Sequence, residues 1–185
     1  MKSTVRNNIL IKLNSLTRDE KKRQSELIQN QLQSVLKNES GSWAAYVNLK
    51  DEPEIRWNEV SSQIDWAFPK LENNEIEFRR AVQNFKKSSL GFSEPEDGEK
   101  IGLEQIKGIV VPALAYDLDG HRLGRGKGFY DRALAGFTGQ KIGVCFNVSL
   151  CEELPREGHD IKCDQIVTEN QIYQVNKPEG VRKWN

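Results

Sequence analysis

The sequence lacks an apolar run long enough to cross a bilayer, and its first residues carry no apolar signal-peptide core. It is also poor in cysteine: Cys145, Cys151 and Cys163 are odd in number and form no C-x-x-C pair. This pattern predicts neither a disulfide framework nor a zinc site, and it fits a reducing compartment. We therefore expect a cytoplasmic protein with no membrane partner, in which all three cysteines are structural.

An excess of charge of either sign is also lacking. Lys plus Arg and Asp plus Glu each number 27, so the formal net charge is zero. A protein that binds nucleic acid over a broad face would normally be basic, so we expect no nucleic-acid partner and infer that any bound anion is held by a local cluster. The length of 185 residues suits a single domain, residues 1–185, which we expect to be a monomer.

Apolar residues recur at helical spacing near the start of the chain. A first helix would bury one face made of Val5, Ile9, Leu10, Leu13 and Leu16. A second helix should begin at Thr17, because Thr17-Arg-Asp-Glu20 has the pattern of a capping box. The buried stripe of this second helix is predicted to consist of Leu27, Ile28, Leu32, Val35 and Leu36.

Strand-like segments follow and alternate with helical ones. The predicted strands cover residues 43–49, 66–68, 75–78, 108–116 and 141–146, with a long loop at 88–100 and a helix at 129–135. The most continuous apolar run, 108–116, is typical of a central strand buried on both faces, and its Pro112 predicts an end near that point. This order favours an α/β fold: a three-layer α/β/α sandwich with a mainly parallel, mixed central sheet. Ligands of such sheets bind at the carboxyl ends of the strands.

Ten residues between the predicted buried strand and the next helix carry the chemistry: Arg122-Leu-Gly-Arg-Gly-Lys-Gly-Phe-Tyr-Asp131. Their three glycines allow positive φ and close approach to a ligand, and three cations, Arg122, Arg125 and Lys127, alternate with them. Such a loop can wrap a polyphosphate, and the N–H groups that begin the following helix would add to the anion site. Asp131 could hold the Mg²⁺ that accompanies ATP.

This loop matches neither of the two common nucleotide signatures. Lys127 is followed by Gly128 where a Walker A loop has Ser or Thr, and the glycine spacing differs from that of the dinucleotide fingerprint. A flexible basic turn, or an Arg/Gly-rich contact for RNA, is the alternative interpretation of the same residues. The setting between a strand and a helix favours an anion site.

The stretch Val111-Pro-Ala-Leu-Ala-Tyr-Asp117, followed by residues 122–131, closely resembles the signature of the 5-formyltetrahydrofolate cyclo-ligases, also called methenyltetrahydrofolate synthetases. Shorter matches extend the resemblance over most of the chain, at 2–6, 16–25, 46–52, 93–95 and 154–168. The resemblance implies a three-layer α/β/α sandwich, ATP and Mg²⁺ as cofactors, and 5-formyltetrahydrofolate as the substrate.

The resemblance also assigns roles to residues of the nucleotide side. It places ATP binding on Lys2, Arg6, Arg122, Leu123, Gly124, Arg125, Gly126, Lys127, Gly128, Phe129 and Tyr130. Among these, Arg125 and Lys127 would face the transferring phosphoryl group and act catalytically. Asp131 and Asp160 match the magnesium-binding acids.

On the folate side, the resemblance implies that Val47, Glu52 and Tyr130 contact the substrate. Two positions depart from the pattern of many relatives: Glu52-Pro-Glu-Ile55 stands where Glu-Val-Asp-Thr is common, and Leu90 stands where an aromatic residue is common. Both departures concern the folate side, and the ATP side is intact.

The implied reaction is the ATP-dependent cyclisation of 5-formyltetrahydrofolate to 5,10-methenyltetrahydrofolate, with release of ADP and phosphate. Such chemistry requires positioning and charge neutralisation more than an acid–base pair, in agreement with a basic, glycine-rich motif. The alternative is a non-catalytic nucleotide- or RNA-binding module derived from this family. The zero net charge and the presence of both predicted magnesium acids favour the enzyme.

Overall fold

The computed structural model describes residues 2–80, 84–88, 91–158 and 160–175, and Leu90 therefore lies outside the described residues. The helices are α1 (Lys2–Ser15), α2 (Arg18–Leu36), α3 (Trp57–Val60) and α4 (Phe129–Ala133). The strands are β1 (Gly41–Ala44), β2 (Ile64–Glu72), β3 (Glu75–Arg80), β4 (Phe85–Lys87), β5 (Ser93–Pro95), β6 (Lys100–Ile101), β7 (Gly108–Pro112), β8 (Ala115–Asp117), β9 (Arg122–Leu123), β10 (Gln140–Val144), β11 (Leu150–Cys151), β12 (Gln165–Val167) and β13 (Ile172–Gln174). Within the described ranges, no helix is long and apolar enough to span a membrane.

The two predicted helices at the start of the chain are present, and α2 begins with the predicted capping box. The Thr17 hydroxyl accepts a hydrogen bond from the N–H of Glu20 at 3.2 Å, and the Glu20 carboxylate accepts one from the N–H of Thr17 at 2.8 Å. The prediction that Leu27 is buried was wrong, because Leu27 is 45% exposed. The buried stripe of α2 instead includes Gln29. The amide oxygen of Gln29 accepts a hydrogen bond from the N–H of Arg56 at 2.9 Å, and this bond holds the chain just before α3.

Among the described residues, eight strands form one mixed sheet, in the order β13-β12-β10-β7-β1-β2-β3-β6. The five strands from β12 to β2 run parallel, and antiparallel strands flank them on both sides. The chain passes from β1 to β2 in one direction along the sheet, but from β7 to β10 in the other. The winding therefore reverses between β1 and β7, and a crevice opens at such a point beyond the carboxyl ends of the strands.

Each face of the sheet has its own apolar cluster. Trp43 and Val110 lie on the face covered by α1 and α2, in one cluster with Ile9, Leu13, Ile28 and Leu32. Ala44 and Ile109 point to the opposite face, as the two-residue period of a strand requires, and pack there with Leu134, which follows α4. These three layers confirm the predicted α/β sandwich.

The centre of the sheet is packed closely where β1 meets β7. Gly108 pairs with Trp43 in the parallel register, and a Cβ built on Gly108 would collide with the six-membered ring of Trp43. Position 108 therefore requires glycine because the indole ring occupies the space that any side chain would need. β7 ends at Pro112, as predicted, and β8 then leaves the main sheet to pair with β9 and β11.

Several predicted segments differ in length from the observed ones. The strand predicted at 43–49 ends at Ala44. The apolar residues after it enter the core and the crevice rather than the sheet, where Ala45 and Tyr46 are buried and Val47 and Leu49 are half-buried. The loop predicted at 88–100 contains the short strand β5 and the first residue of β6. The helix predicted at 129–135 ends at Ala133, close to Gly136, whose φ of 78° interrupts a helix.

The cysteines occupy the positions expected of structural residues. Cys145 and Cys163 are buried, and burial raises the pKa of each thiol to about 12. Cys151 is half-buried, and burial raises its pKa as well. Thiols in this state carry little thiolate and are weak nucleophiles.

Candidate active site

A cavity of about 560 Å³ opens at the crevice between β1 and β7. Tyr46 and Val47, which follow β1, line it together with Pro112 and Ala113 at the end of β7. Its volume is in the range of small-molecule and cofactor sites, and its position is the one at which doubly wound sheets bind their ligands.

The segment from β9 into α4 runs along this cavity, and every residue from Arg122 to Asp131 lines it. Gly126 and Gly128 have φ angles of 96° and 64°, in the left-handed region that glycine adopts without strain. A Cβ on Gly126 would lie 3.5 Å from the guanidinium carbon of Arg6. The predicted positive φ is thus present at two of the three glycines of this segment, and Gly124 does not adopt it.

Helix α1 brings two cations to the same cavity. Arg6 Nε donates to the carbonyl oxygen of Gly124 at 2.8 Å, and Lys2 Nζ donates to both carboxylate oxygens of Asp160, at 2.9 and 3.1 Å. Burial lowers the pKa of Lys2, but its hydrogen bonds to Asp160 and to Glu157 outweigh that effect and raise the pKa. Lys2 is therefore a permanent positive charge at the cavity wall.

Arg122 and Asp131 form a fork-shaped ion pair below the loop. The distances are 3.2 Å from Nε to Oδ1 and 3.0 Å from Nη2 to Oδ2, and the two side chains are 5% and 14% exposed. The guanidinium also lies over the ring of Tyr130, 5.4 Å from its centroid. The pair joins β9 to α4 and so fixes both ends of the glycine-rich segment.

The two predicted magnesium acids lie on the same side of the cavity. Asp131 Oδ1 accepts a hydrogen bond from the N–H of Ile161 at 3.4 Å, which places the backbone next to Asp160 beside the Asp131 carboxylate. No cluster of three or more His, Cys, Asp or Glu side chains that could hold a metal occurs in the described part of the chain. Mg²⁺ is commonly held by one or two carboxylates together with substrate phosphates, and this pair of acids beside a cationic loop fits that arrangement.

The loop that follows β1 is held by its own hydrogen bonds. The hydroxyl of Tyr46 donates to the carbonyl of Pro53 at 2.8 Å, and the indole N–H of Trp57 donates to the carbonyl of Tyr46 at 2.8 Å. Glu52 Oε2 accepts from the N–H of Leu49 at 2.9 Å. These contacts turn the loop back on itself and present the Glu52 carboxyl to the cavity.

Arg125 connects this loop to the glycine-rich segment. Its guanidinium lies 3.3 Å from Asp51 Oδ2 and 3.5 Å from Glu52 Oε1, and both carboxylates are buried. Burial raises the pKa of Glu52, and the Leu49 N–H and the Arg125 guanidinium oppose that shift only in part. The predicted phosphate side and the predicted folate side therefore meet at one arginine.

Lys127 is placed differently from the other two cations of the motif. It is exposed and lines the cavity, and its ammonium pairs with no carboxylate among the described residues. Because Arg122 and Arg125 are already paired with acids, Lys127 is the cation of the motif whose charge is most available to an incoming anion.

Apolar side chains line another part of the cavity. They are Pro69 of β2, Ile76 of β3 and Phe92, which precedes β5. Sequence reasoning missed these residues because they come from separate strands that only the folded sheet brings together. Every predicted site residue does line the cavity, namely Lys2, Arg6, Val47, Glu52, the residues from Arg122 to Asp131, and Asp160. Their individual roles in binding stay predictions.

Comparison with known proteins agrees with this arrangement. Residues 1–169 match the sequence profile described as the 5-formyltetrahydrofolate cyclo-ligase family. This chain belongs to that family. The match includes α1 and both predicted magnesium acids, so it spans every part of the cavity wall described above.

Individual cyclo-ligases are similar over different lengths. The 5-formyltetrahydrofolate cyclo-ligase of Mus musculus is 26% identical over 86% of this chain and 89% of its own length. That of Mycolicibacterium smegmatis is 42% identical over 44% of each chain. The NMR structure of Aquifex aeolicus 5,10-methenyltetrahydrofolate synthetase superposes with a TM-score of 0.79 at 33% identity, covering 95% of this chain and 93% of that one.

Proposed function

We propose that this protein is an ATP- and Mg²⁺-dependent enzyme that converts 5-formyltetrahydrofolate to 5,10-methenyltetrahydrofolate, with release of ADP and phosphate. The single observation that carries the proposal is that the cationic glycine-rich segment and the Glu52 loop line one cavity at the switch point of the sheet. The two predicted half-sites therefore face the same cavity, as a transfer between two bound substrates requires.

The nucleotide phosphates would lie along the segment from Arg122 to Asp131, where Arg6 and Lys127 supply positive charge. Mg²⁺, which neutralises phosphate charge, would be held by Asp131 and Asp160. The backbone at Gly126 and Gly128 allows the phosphates to come close. The protein would thus contribute orientation and charge stabilisation, which are the main requirements of phosphoryl transfer.

The folate would occupy the side of the cavity formed by Val47, Glu52 and Tyr130, with Pro69 and Phe92 as further apolar walls. In the proposed reaction the formyl oxygen attacks the γ-phosphate, and ADP leaves. N10 of the folate then adds to the activated formyl carbon and loses its proton, and the former formyl oxygen departs within phosphate. The apolar walls would limit access of water to the activated carbon.

One assay tests this proposal directly. Purified protein is mixed with 5-formyltetrahydrofolate, ATP and Mg²⁺, and the absorbance of the methenyl product is followed. We expect product only when all three are present, and none when ATP is replaced by a non-hydrolysable analogue. Absence of product from the complete mixture, together with retention of labelled single-stranded RNA in a mobility-shift assay, would favour the alternative of a non-catalytic binding module.

Three further features belong to the same proposal. We take residues 1–185 as a single catalytic domain that acts as a monomer in the cytoplasm. The cavity supports the monomer, because residues from α1 to Asp160 of one chain line it together. Sedimentation of the purified protein at several concentrations tests this part of the proposal.

A further inference from the structure

Asp51 is a buried carboxylate to which the predicted site gives no role. It is 3% exposed, and it is not among the residues that line the cavity. One of its oxygens, Oδ2, lies 3.3 and 3.4 Å from Nη1 and Nη2 of Arg125. The other oxygen, Oδ1, is buried without a hydrogen-bond partner among the described residues. Burying a carboxylate in this condition costs stability, so its presence here calls for a functional explanation.

The charges around Arg125 do not balance. Asp51 and Glu52 are adjacent carboxylates, both buried, and Arg125 is the cation within 4.0 Å of them. Glu52 already receives a hydrogen bond from the N–H of Leu49, whereas Asp51 Oδ2 has only Arg125. Arg125 is therefore the sole partner of Asp51 among the described residues, but it is a shared partner of Glu52.

The two ends of the Asp51–Arg125 pair differ in burial, because the Asp51 carboxylate is buried and the Arg125 side chain is 36% exposed. Asp51 belongs to the loop that Tyr46 and Trp57 fasten through two hydrogen bonds of 2.8 Å. Arg125 lies between Gly124 and Gly126, and glycine neighbours restrict the backbone around an arginine less than other residues would. The fixed carboxylate can therefore determine where the guanidinium stands, because the glycine-flanked arginine could otherwise adopt many positions.

We propose that Asp51 is a positioning residue that holds Arg125 at the border between the phosphate side and the folate side. When a hydrogen-bond donor of the substrate binds the Glu52 carboxylate, Arg125 loses Glu52 as a partner. Asp51 still holds Arg125 beside the phosphates. Glu52 is thus free to bind substrate without releasing the arginine. This inference rests on the proposed function, since it concerns how residues of the same cavity are held in position.

Asp51→Asn removes the charge and keeps the shape. Arg125 then has Glu52 as its remaining carboxylate partner, so the folate must compete with the arginine for Glu52. We expect the KM for 5-formyltetrahydrofolate to rise and the affinity for ATP to fall, each by about tenfold. A residue that merely stabilised the loop would change the unfolding midpoint without making these effects depend on Arg125.

The test is a double-mutant cycle with wild type, Asp51→Asn, Arg125→Ala and the double variant. Calorimetry measures the Kd for ATP in the presence of Mg²⁺, which does not require the variants to be active, and the methenyl absorbance assay gives the KM of the active ones. Asp65→Asn is the matched control, because Asp65 also pairs with an arginine, Arg80, at 3.0 Å but lines no part of the cavity.

We expect Asp51→Asn to weaken ATP binding about tenfold in the wild-type background and less than about twofold when Arg125 is already alanine. Asp65→Asn should leave both measurements unchanged. An equal loss in both backgrounds would overturn the positioning role, even with an active wild type. If instead the wild-type protein forms no methenyl product, the proposed function itself fails and the inference falls with it. Circular dichroism and the unfolding midpoint establish that each variant is folded.

Discussion

The guanidinium of Arg122 meets the carboxylate of Asp131 in two hydrogen bonds of 3.2 and 3.0 Å, side by side. The acid that the sequence assigns to a metal is thus also the partner of a buried arginine. The sequence alone indicated only a Mg²⁺ ligand at this position. The structure adds a second contribution, because the same group offsets a buried charge.

Asp131→Asn should therefore affect stability as well as metal use. The amide cannot offset the charge of Arg122, so we expect the free energy of unfolding to fall by about 3 kcal/mol, as measured by urea denaturation. At fixed ATP, the Mg²⁺ concentration required for half-maximal activity should rise. If the metal requirement is unchanged while stability falls, Asp131 has a structural role alone.

Lys127→Ala should reduce activity without reducing stability. The ammonium pairs with no carboxylate in the described ranges, so its removal should leave the unfolding midpoint within about 0.5 kcal/mol of wild type. The catalytic efficiency should change much more than the stability, and kcat/KM should fall by a factor equivalent to about 3 kcal/mol of transition-state stabilisation. Lys22→Ala, at an exposed position of α2, is the control for loss of a surface lysine. Activity of Lys127→Ala within twofold of wild type would show that Lys127 is not a catalytic residue.

Glu52→Gln should separate folate binding from ATP binding. A neutral amide is a poorer acceptor for the donor edge of a pterin, so the KM for 5-formyltetrahydrofolate should rise by an amount equivalent to about 1–3 kcal/mol, with little change in the KM for ATP. Equal weakening of both substrates, or of neither, would show that Glu52 is not a folate contact.

The raised pKa of Glu52 predicts that stability depends on pH. Burial raises the pKa of Glu52, so the folded protein binds this proton more tightly than the unfolded chain does. By linkage, ionisation of this carboxyl lowers the free energy of unfolding, and the loss is complete once the pH exceeds the pKa of Glu52 in the folded protein. The loss disappears as the pH falls towards about 4.3, the pKa of a free glutamate. Glu52→Gln should therefore melt higher than wild type at about pH 8, and the difference should shrink at about pH 4.

Gly108→Ala tests the packing that joins β1 to β7. The added methyl group would enter the space of the Trp43 ring, and we expect a loss of about 3 kcal/mol in the free energy of unfolding. Gly136→Ala is a useful comparison, since nothing lies within 4 Å of the added Cβ there and the effect reports its positive φ alone. Equal losses for the two variants would contradict the proposed steric role of Trp43.

The sequence predicts local features of this fold better than long-range contacts. The start of α2 and the end of β7 follow from Thr17 and Pro112, whose effects are confined to neighbouring residues. The cationic glycine-rich motif could likewise be recognised from its own ten residues. The pairing of Arg125 with Asp51 could not be predicted, because the two are 74 positions apart and meet only at the switch point of the sheet. The stripe of α2 was mispredicted at Leu27 for a similar reason: the loop before α3 required Gln29 on the buried face.

The contact of Lys2 with Asp160 closes the cavity wall with residues 158 positions apart. During synthesis on the ribosome, Lys2 must therefore wait until the segment that contains Asp160 has emerged before this partner is available. A nascent chain cannot hold a ligand in the completed cavity, so the ligand can stabilise the finished protein but cannot guide its early folding.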